Sequence, residues 1–136
     1  MLVLPRPVWL EVLGHCYDGL PDEACGLLGG RADQAEVFVP CVNADHSSRT
    51  FSLGPECWEE VDRRIGDAGL ELVAVVHSHT HTEAYPSPTD VDQAANPLLA
   101  TRRWVVVSLR PPAPSVRSYL IDDGSVTEEP IEVRPR

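Results

Sequence analysis

Residues 70–76 form an almost unbroken apolar run, rich in valine, that ends on His77-Ser78-His79. Such a run predicts a strand over 70–78 covered on both faces. Upstream, residues 2–4 suit a short strand. Pro7 then starts a helix with Val8, Leu10, Val12, Leu13 and Cys16 as its apolar side, ending near Gly19. Residues 23–30 read as a buried strand closed by a Gly-Gly turn, and 36–40 and 51–53 as two more strands. Gly54-Pro55 opens a helix to residue 67 with Trp58, Val61 and Ile65 inward, and Gly69 stops it.

Beyond the valine run, Ser87-Pro88-Thr89-Asp90 has the form of a helix start, with serine as N-cap and proline in the first turn. Strands are expected over 104–109 and 116–121, separated by a stiff Pro111-Pro112-Ala113-Pro114 tip. Asp123-Gly124 signals a hairpin, and 126–133 a last edge strand interrupted by Pro130. Helices interleave with strands before a run of hairpins. The order predicts a three-layer α/β domain, one mixed and mostly antiparallel sheet between helices.

The 136 residues are expected to form a single domain, 1–136. A 43% hydrophobic and 24% charged composition is that of a globular chain. The net charge of −10 argues against a nucleic-acid surface. All 11 basic residues are arginine, which excludes lysine chemistry. No apolar run is long enough to span a membrane, and the first residues lack a signal-peptide pattern. Cys16, Cys25, Cys41 and Cys57 are scattered, so four free thiols in a reducing cytoplasm are expected, none of them a nucleophile. The sequence carries no signal for oligomeric state.

Chemistry concentrates after the valine run. Side chains two apart on a strand share a face, so His77 and His79 present their rings together. Seven residues separate His79 from Ser87, and Asp90 follows. A strand end and a helix start thus supply two imidazoles and a carboxylate, leaving one position of a tetrahedral ion for water, as in catalytic zinc sites. Glu23, at the lip of an apolar segment, is the candidate general base, with Glu83 as a weaker rival. Ser87 can cap the helix, donate to a developing oxyanion, or do both. Strict alternation would add His81 as a third imidazole. Thr80-His81-Thr82-Glu83 reads instead as loop, so His81 is expected to face solvent or substrate. His15 and His46 are assigned no chemistry. Arg49 either faces the substrate channel and pairs with a carboxylate or, as the default, is an ordinary exposed arginine.

Glu23, His77-x-His79, seven residues, Ser87-x-x-Asp90 resembles the motif of the JAMM (MPN-plus) metalloproteases, and Glu23-Ala24-Cys25-Gly26-Leu27-Leu28 is similar to the context in bacterial members. The resemblance covers almost the whole chain. It implies a cytidine-deaminase-like α/β/α fold. It implies one Zn2+ held by His77, His79 and Asp90, with Glu23 as general base and Ser87 as oxyanion helper.

Within the family, Thr80 after the second histidine, the Glu83-Ala84-Tyr85-Pro86 loop, Arg117-Ser118-Tyr119 and Val126-Thr127-Glu128-Glu129-Pro130 look most like the actinobacterial peptidases that free cysteine from a sulfur carrier. His81 departs from that pattern. The implied partner is a ubiquitin-like sulfur carrier with a C-terminal Gly-Gly, its tail docked as an added strand at a sheet edge. Residues 91–102 are too few for the inserted segments with which deubiquitinases of the family grip ubiquitin chains. Two alternatives stand beside this expectation: a peptidase that processes ubiquitin-like precursors or removes a modifier from target proteins, and a non-catalytic binding module.

Overall fold

The computed structural model describes residues 1–96 and 103–135. Eight strands make one sheet: β1 (Leu2–Pro5), β2 (Cys25–Arg31), β3 (Gln34–Cys41), β4 (Glu71–His79), β5 (Arg103–Ser108), β6 (Ser115–Asp122), β7 (Ser125–Glu129) and β8 (Ile131–Arg134), in the order β7-β6-β5-β4-β2-β3-β1-β8. β1 runs parallel to β3 and β8, and β4 parallel to β5; the remaining pairs are antiparallel. The sheet is therefore mixed and mostly antiparallel.

Helices cover both faces. On one, α1 (Arg6–Asp18) buries Val8, Val12 and Cys16, one helical turn apart, against Leu28, Phe38, Val76 and Val105. Leu10, expected on that apolar side, is 56% exposed, because it sits half a turn away from the Val8–Val12 stripe. On the other face α2 (Pro55–Val61) and a following π-helical turn (Asp62–Gly66) bring Cys57, Val61 and Ile65 onto Leu27, Val39, Val75 and Trp104. Val91 of α3 (Pro88–Gln93) joins the same side. The expected helix to residue 67 is thus α-helical only in its first half. Gly69 follows at φ 72° and turns the chain into β4.

Three expectations need correction. Residues 51–53 are not a strand: only an isolated bridge joins Asn43 to Leu53, since the Asn43 side chain bonds to loop backbone throughout this region. Residues 126–133 are not one edge strand. Pro130 lacks the N–H a ladder needs, and it divides β7 on one edge from β8 on the other. With one residue between them, the two edges must meet, so the sheet curls round on itself. The Leu2 amide donates to the Pro130 carbonyl at 3.0 Å, and Glu129 accepts from Arg103 and, at 2.8 Å, from the Ser118 hydroxyl. Third, the cysteines are not all free: Cys41 and Cys57 form a disulfide joining β3 to α2, Cα to Cα 5.3 Å. Cys16 and Cys25 remain buried thiols, pushed up to about 12 chiefly by loss of hydration, as inert small hydrophobes should be.

The hairpin after β6 turns through Asp123 and Gly124, both at positive φ, as expected for that dipeptide. Close packing constrains β2: a Cβ on Gly30 would lie 1.9 Å from the Gln34 carbonyl oxygen. β4 has β2 and β5 on either side, so the histidine strand itself offers no free edge to a docking tail. Residues 97–102, part of the stretch expected to lack an insertion, lie outside the described residues. No helix among the described residues is long and apolar enough to cross a membrane.

Candidate metal centre

β4 ends at His79, and period-two alternation puts Val75, His77 and His79 on the α2 face of the sheet. His77 is fully buried, stacked on Phe51 with ring centroids 4.6 Å apart and edge-on to Trp104 at 5.7 Å. The two rings turn their Nε2 atoms toward each other at 3.1 Å. Opposite them stands Asp90, presented by a reciprocal helix cap. The Asp90 amide donates to Ser87 Oγ at 3.1 Å, and the Ser87 amide donates to Asp90 Oδ2 at 2.8 Å. That cap aims the same Oδ2 at His77 Nε2, 3.0 Å away, and at His79 Nε2, 3.1 Å away.

Three ligand-type atoms on His77, His79 and Asp90 lie within 4.8 Å of one another, all on buried residues, and no other such cluster occurs among the described residues. Their spacing suits a small cation. A tetrahedral zinc ion with nitrogen and oxygen ligands at about 2.0–2.1 Å has ligand–ligand edges of roughly 3.3 Å, close to the observed 3.0–3.1 Å. Tautomers agree. The Glu83 carbonyl can only accept, so His79 Nδ1, 2.9 Å from it, carries a proton, and Nε2 is left to face the shared centre, as a donor to Asp90 in the metal-free protein and as a lone-pair ligand once it gives up its proton to a metal ion. For His77 ring packing does the orienting, since its buried Nδ1 has no hydrogen-bond partner.

Charge is distributed accordingly. Loss of hydration holds His77 neutral, its pKa below the ordinary value. His79 is also desolvated, but hydrogen bonds to Asp90 and the Glu83 carbonyl, with the Asp90 and Glu23 charges, outweigh burial and raise its pKa. Burial opposes the Asp90 charge too; hydrogen bonds from both histidines and the Ser87 amide overcome it and hold this carboxyl well below the usual range.

Glu23 is 5% exposed and its Oε1 has no partner. Burial pushes its carboxyl up to about 8; the His79 charge opposes the rise, while Asp90 and Asp45 add to it. A buried, unpartnered carboxylate oxygen beside a cluster of metal-ligand type is placed to work on a water molecule. Glu23 and Ser87 open with His79 onto a cavity of about 500 Å3 that also takes in Ser48, Arg49 and the Thr80, His81 and Thr82 turn. Ser87 Oγ accepts from the Asp90 amide, so its own proton is available to the cavity. The five motif residues therefore converge. His81 is exposed, outside the ligand cluster and on the cavity wall, which agrees with a loop position rather than a third ligand. Glu83 is exposed, serves the centre through its backbone carbonyl, and is absent from the cavity wall.

Two residues that hold the site together escaped the motif reading. Ser78, between the histidines and facing the other way, accepts the Ala24 amide at 2.8 Å and donates its own amide to the Ala24 carbonyl at 2.9 Å. It straps the Glu23 segment to the histidine strand. Asn43 donates to the carbonyls of Glu23 at 3.0 Å and Thr50 at 2.9 Å and accepts from the Asp45 and Ser52 amides, organising the 43–52 loop. The one available signal was a serine inside an apolar strand, which must find a partner. His15, assigned no chemistry, is structural: its Nε2–H points between the Cys25 and Cys41 carbonyls at 3.0 and 3.1 Å, tying α1 to the sheet.

The raised Glu23 carboxyl has a consequence for the metal-free protein. Folded, Glu23 keeps its proton to about pH 8, whereas the ordinary value is 4.5. The stability attached to this group is complete below about pH 4.5 and is lost as pH rises through 8. Metal-free Glu23→Gln is therefore expected to exceed metal-free wild type by on the order of 2 kcal/mol at the alkaline end of that window. The advantage should vanish at the acid end. Urea titrations at the two ends of the window read it.

Residues 5–122 match the model for prokaryotic homologues of the JAB domain. The CysO-cysteine peptidase of Mycobacterium tuberculosis is 40% identical over 136 residues, covering 98% of this chain and 91% of its own. The probable TtuB-protein conjugate cleaving protease of Thermus thermophilus is 30% identical over 125 residues, covering 91% and 78%. The solution structure of a Desulfitobacterium hafniense protein superposes with a TM-score of 0.88 at 33% identity, over 100% of this chain and 94% of the other. These likenesses run through the histidine strand and the sheet that surrounds it, and on them the chain belongs to the JAMM/MPN metalloprotease family as a prokaryotic JAB-domain peptidase.

Proposed function

We propose that residues 1–136 act as one zinc peptidase unit that hydrolyses the amide after the C-terminal Gly-Gly of a ubiquitin-like sulfur carrier and releases cysteine. The observation that carries this reading is the convergence of His77, His79 and Asp90 beside the unpartnered Glu23 oxygen. The carrier substrate draws its support from the relative named a CysO-cysteine peptidase. In this reading His77, His79 and Asp90 hold one zinc ion per chain. When bound, the ion polarises the scissile carbonyl and makes water acidic enough to ionise near neutrality.

The chain's own residues do the rest. Glu23, ionised once a bound cation offsets the burial that raises its carboxyl in the metal-free protein, takes a proton from the attacking water as the water oxygen bonds to the glycine carbonyl carbon. The Ser87 hydroxyl donates to the oxygen of that carbonyl as charge gathers on it. Glu23 then delivers the proton to the departing nitrogen as the C–N bond breaks. The products are the carrier's C-terminal carboxylate and free cysteine, and one water has been consumed. Cap bonds keep Asp90 and Ser87 in place throughout, and the Ser78 strap does the same for Glu23.

A second reading, removal of a modifier from target proteins or trimming of extended precursors, is favoured by the relative named for cleaving protein conjugates. Competition between two substrates separates the readings: a carrier bearing one C-terminal cysteine, and the same carrier extended by several residues or joined to a protein lysine. The first reading expects the single-cysteine adduct to be cleaved at least about tenfold faster, a difference of roughly 1.4 kcal/mol in the barrier. Equal or reversed rates, read by mass spectrometry, favour the second.

A further inference from the structure

The loop between β3 and α2 brings a fixed positive charge to the catalytic cavity. Arg49 lies on its wall, together with Glu23, His79 and Ser87. The loop is tied down on several sides. The Glu23 amide donates to the Ser47 carbonyl at 2.8 Å, and Asn43 grips the carbonyls of Glu23 and Thr50. Ser47 Oγ caps the turn from within, accepting the Arg49 amide at 3.0 Å and the Thr50 amide at 3.3 Å. Thr80, next to the second histidine, reaches the Ser48 carbonyl at 3.5 Å. The Arg49 backbone is thereby anchored to both the Glu23 segment and the end of β4.

Its side chain is left unused by the fold. Arg31, Arg63, Arg103, Arg117 and Arg134 each form an ion pair, whereas Arg6, Arg49, Arg64 and Arg110 pair with no carboxylate among the described residues, and of these four only Arg49 lies on the wall of this cavity. Among the described residues Arg49 is the one arginine on this cavity wall, in a chain of net charge −10. A leaving residue with a free α-carboxylate gives up hydration as it enters the cavity, and a paired cation offsets that cost. Arginine is suited to the task, because its planar fork matches the two oxygens of a carboxylate.

We propose that Arg49 binds the α-carboxylate of the residue being released, so that the cavity accepts a single C-terminal amino acid and disfavours a chain that continues. The inference rests on the peptidase reading above and names the group that confines it to terminal residues. Arg49 touches the leaving group rather than the scissile bond, so it sets specificity. His81 and Thr82 complete the wall on which that residue rests.

The test uses the zinc-loaded full chain and two semisynthetic probes: a ubiquitin-like carrier ending Gly-Gly-Cys with a free carboxylate, and the same adduct as the cysteine carboxamide. Wild type should cleave the acid at least about tenfold better in kcat/KM, mostly through KM. Arg49→Ala should bring the acid down to the amide's rate and leave the amide within about twofold of wild type. Arg49→Lys should fall between. Glu23→Gln, which binds without turnover, should show the same preference for the acid by calorimetry. Equal treatment of acid and amide by wild type, or an Arg49→Ala loss of the same size on both, overturns the carboxylate assignment and leaves the peptidase reading intact. Failure of wild type to cleave either probe defeats the peptidase reading instead, and the calorimetric preference then still decides whether Arg49 reads the carboxylate.

Discussion

Glu23→Gln should lower kcat on the carrier adduct by about 10²–10⁴-fold, the usual contribution of a positioned general base, and leave the zinc content unchanged. The amide has nearly the volume of the carboxylate, so packing at this 5% exposed position is kept. What disappears is the oxygen that has no hydrogen-bond partner in the protein and can take a proton from water. Glu23 is outside the His77, His79 and Asp90 cluster, which is why metal content and activity should separate. KM should change little, because the interaction is made in the transition state. Metal analysis and steady-state kinetics on one preparation read both. Retained kcat, or loss of zinc together with activity, would remove Glu23 from the role of base.

The second large effect is expected at Asp90, where one carboxylate does two jobs. Asp90→Ala removes the partner of both histidine Nε2 atoms and half of the reciprocal cap that begins α3. Zinc binding and activity should be lost together. The metal-free protein should also lose about 1–2 kcal/mol, the cost of a missing cap. Asp90→Asn separates the jobs. Its carbonyl oxygen can still accept the Ser87 amide, so metal-free stability should largely return, while a neutral amide is a poor zinc ligand and binding should stay weak. Chemical denaturation without metal and zinc titration of the folded protein give the two readouts. Tight zinc binding by Asp90→Ala would mean that the histidines and some other group form the site.

Much of the site was legible in the sequence because local geometry dictates it. Two histidines one residue apart on a strand must share a face, and Ser-Pro-x-Asp ahead of a helix builds its own cap, so His77, His79, Ser87 and Asp90 are placed by short-range rules. Glu23 gave a weaker local signal, a charge at the lip of an apolar segment, and the family motif reinforced it. The ties that deliver it, Ser78 to Ala24 and Asn43 to the Glu23 carbonyl, span 54 and 20 residues and have no local signature. The same limit explains the fold corrections. Alternation along 126–133 is indifferent to which strand lies alongside, so the division at Pro130 between opposite edges depends on long-range pairing. Four cysteines allow six different single disulfides, and the Cys41–Cys57 bond follows only once α2 lies over β3.

On the function proposed above, the His77, His79 and Asp90 cluster holds the zinc with which this chain cuts a carrier adduct. The direct test is to incubate the Gly-Gly-Cys carrier adduct with chelator-stripped protein, before and after one equivalent of zinc is added back, and to follow the intact mass of the carrier. The stripped protein should leave the carrier mass unchanged, and re-addition should bring the loss of one cysteine residue with recovery of the Gly-Gly carboxylate. Cleavage that persists without metal, or an adduct left intact by protein that has taken up its zinc, would contradict that function.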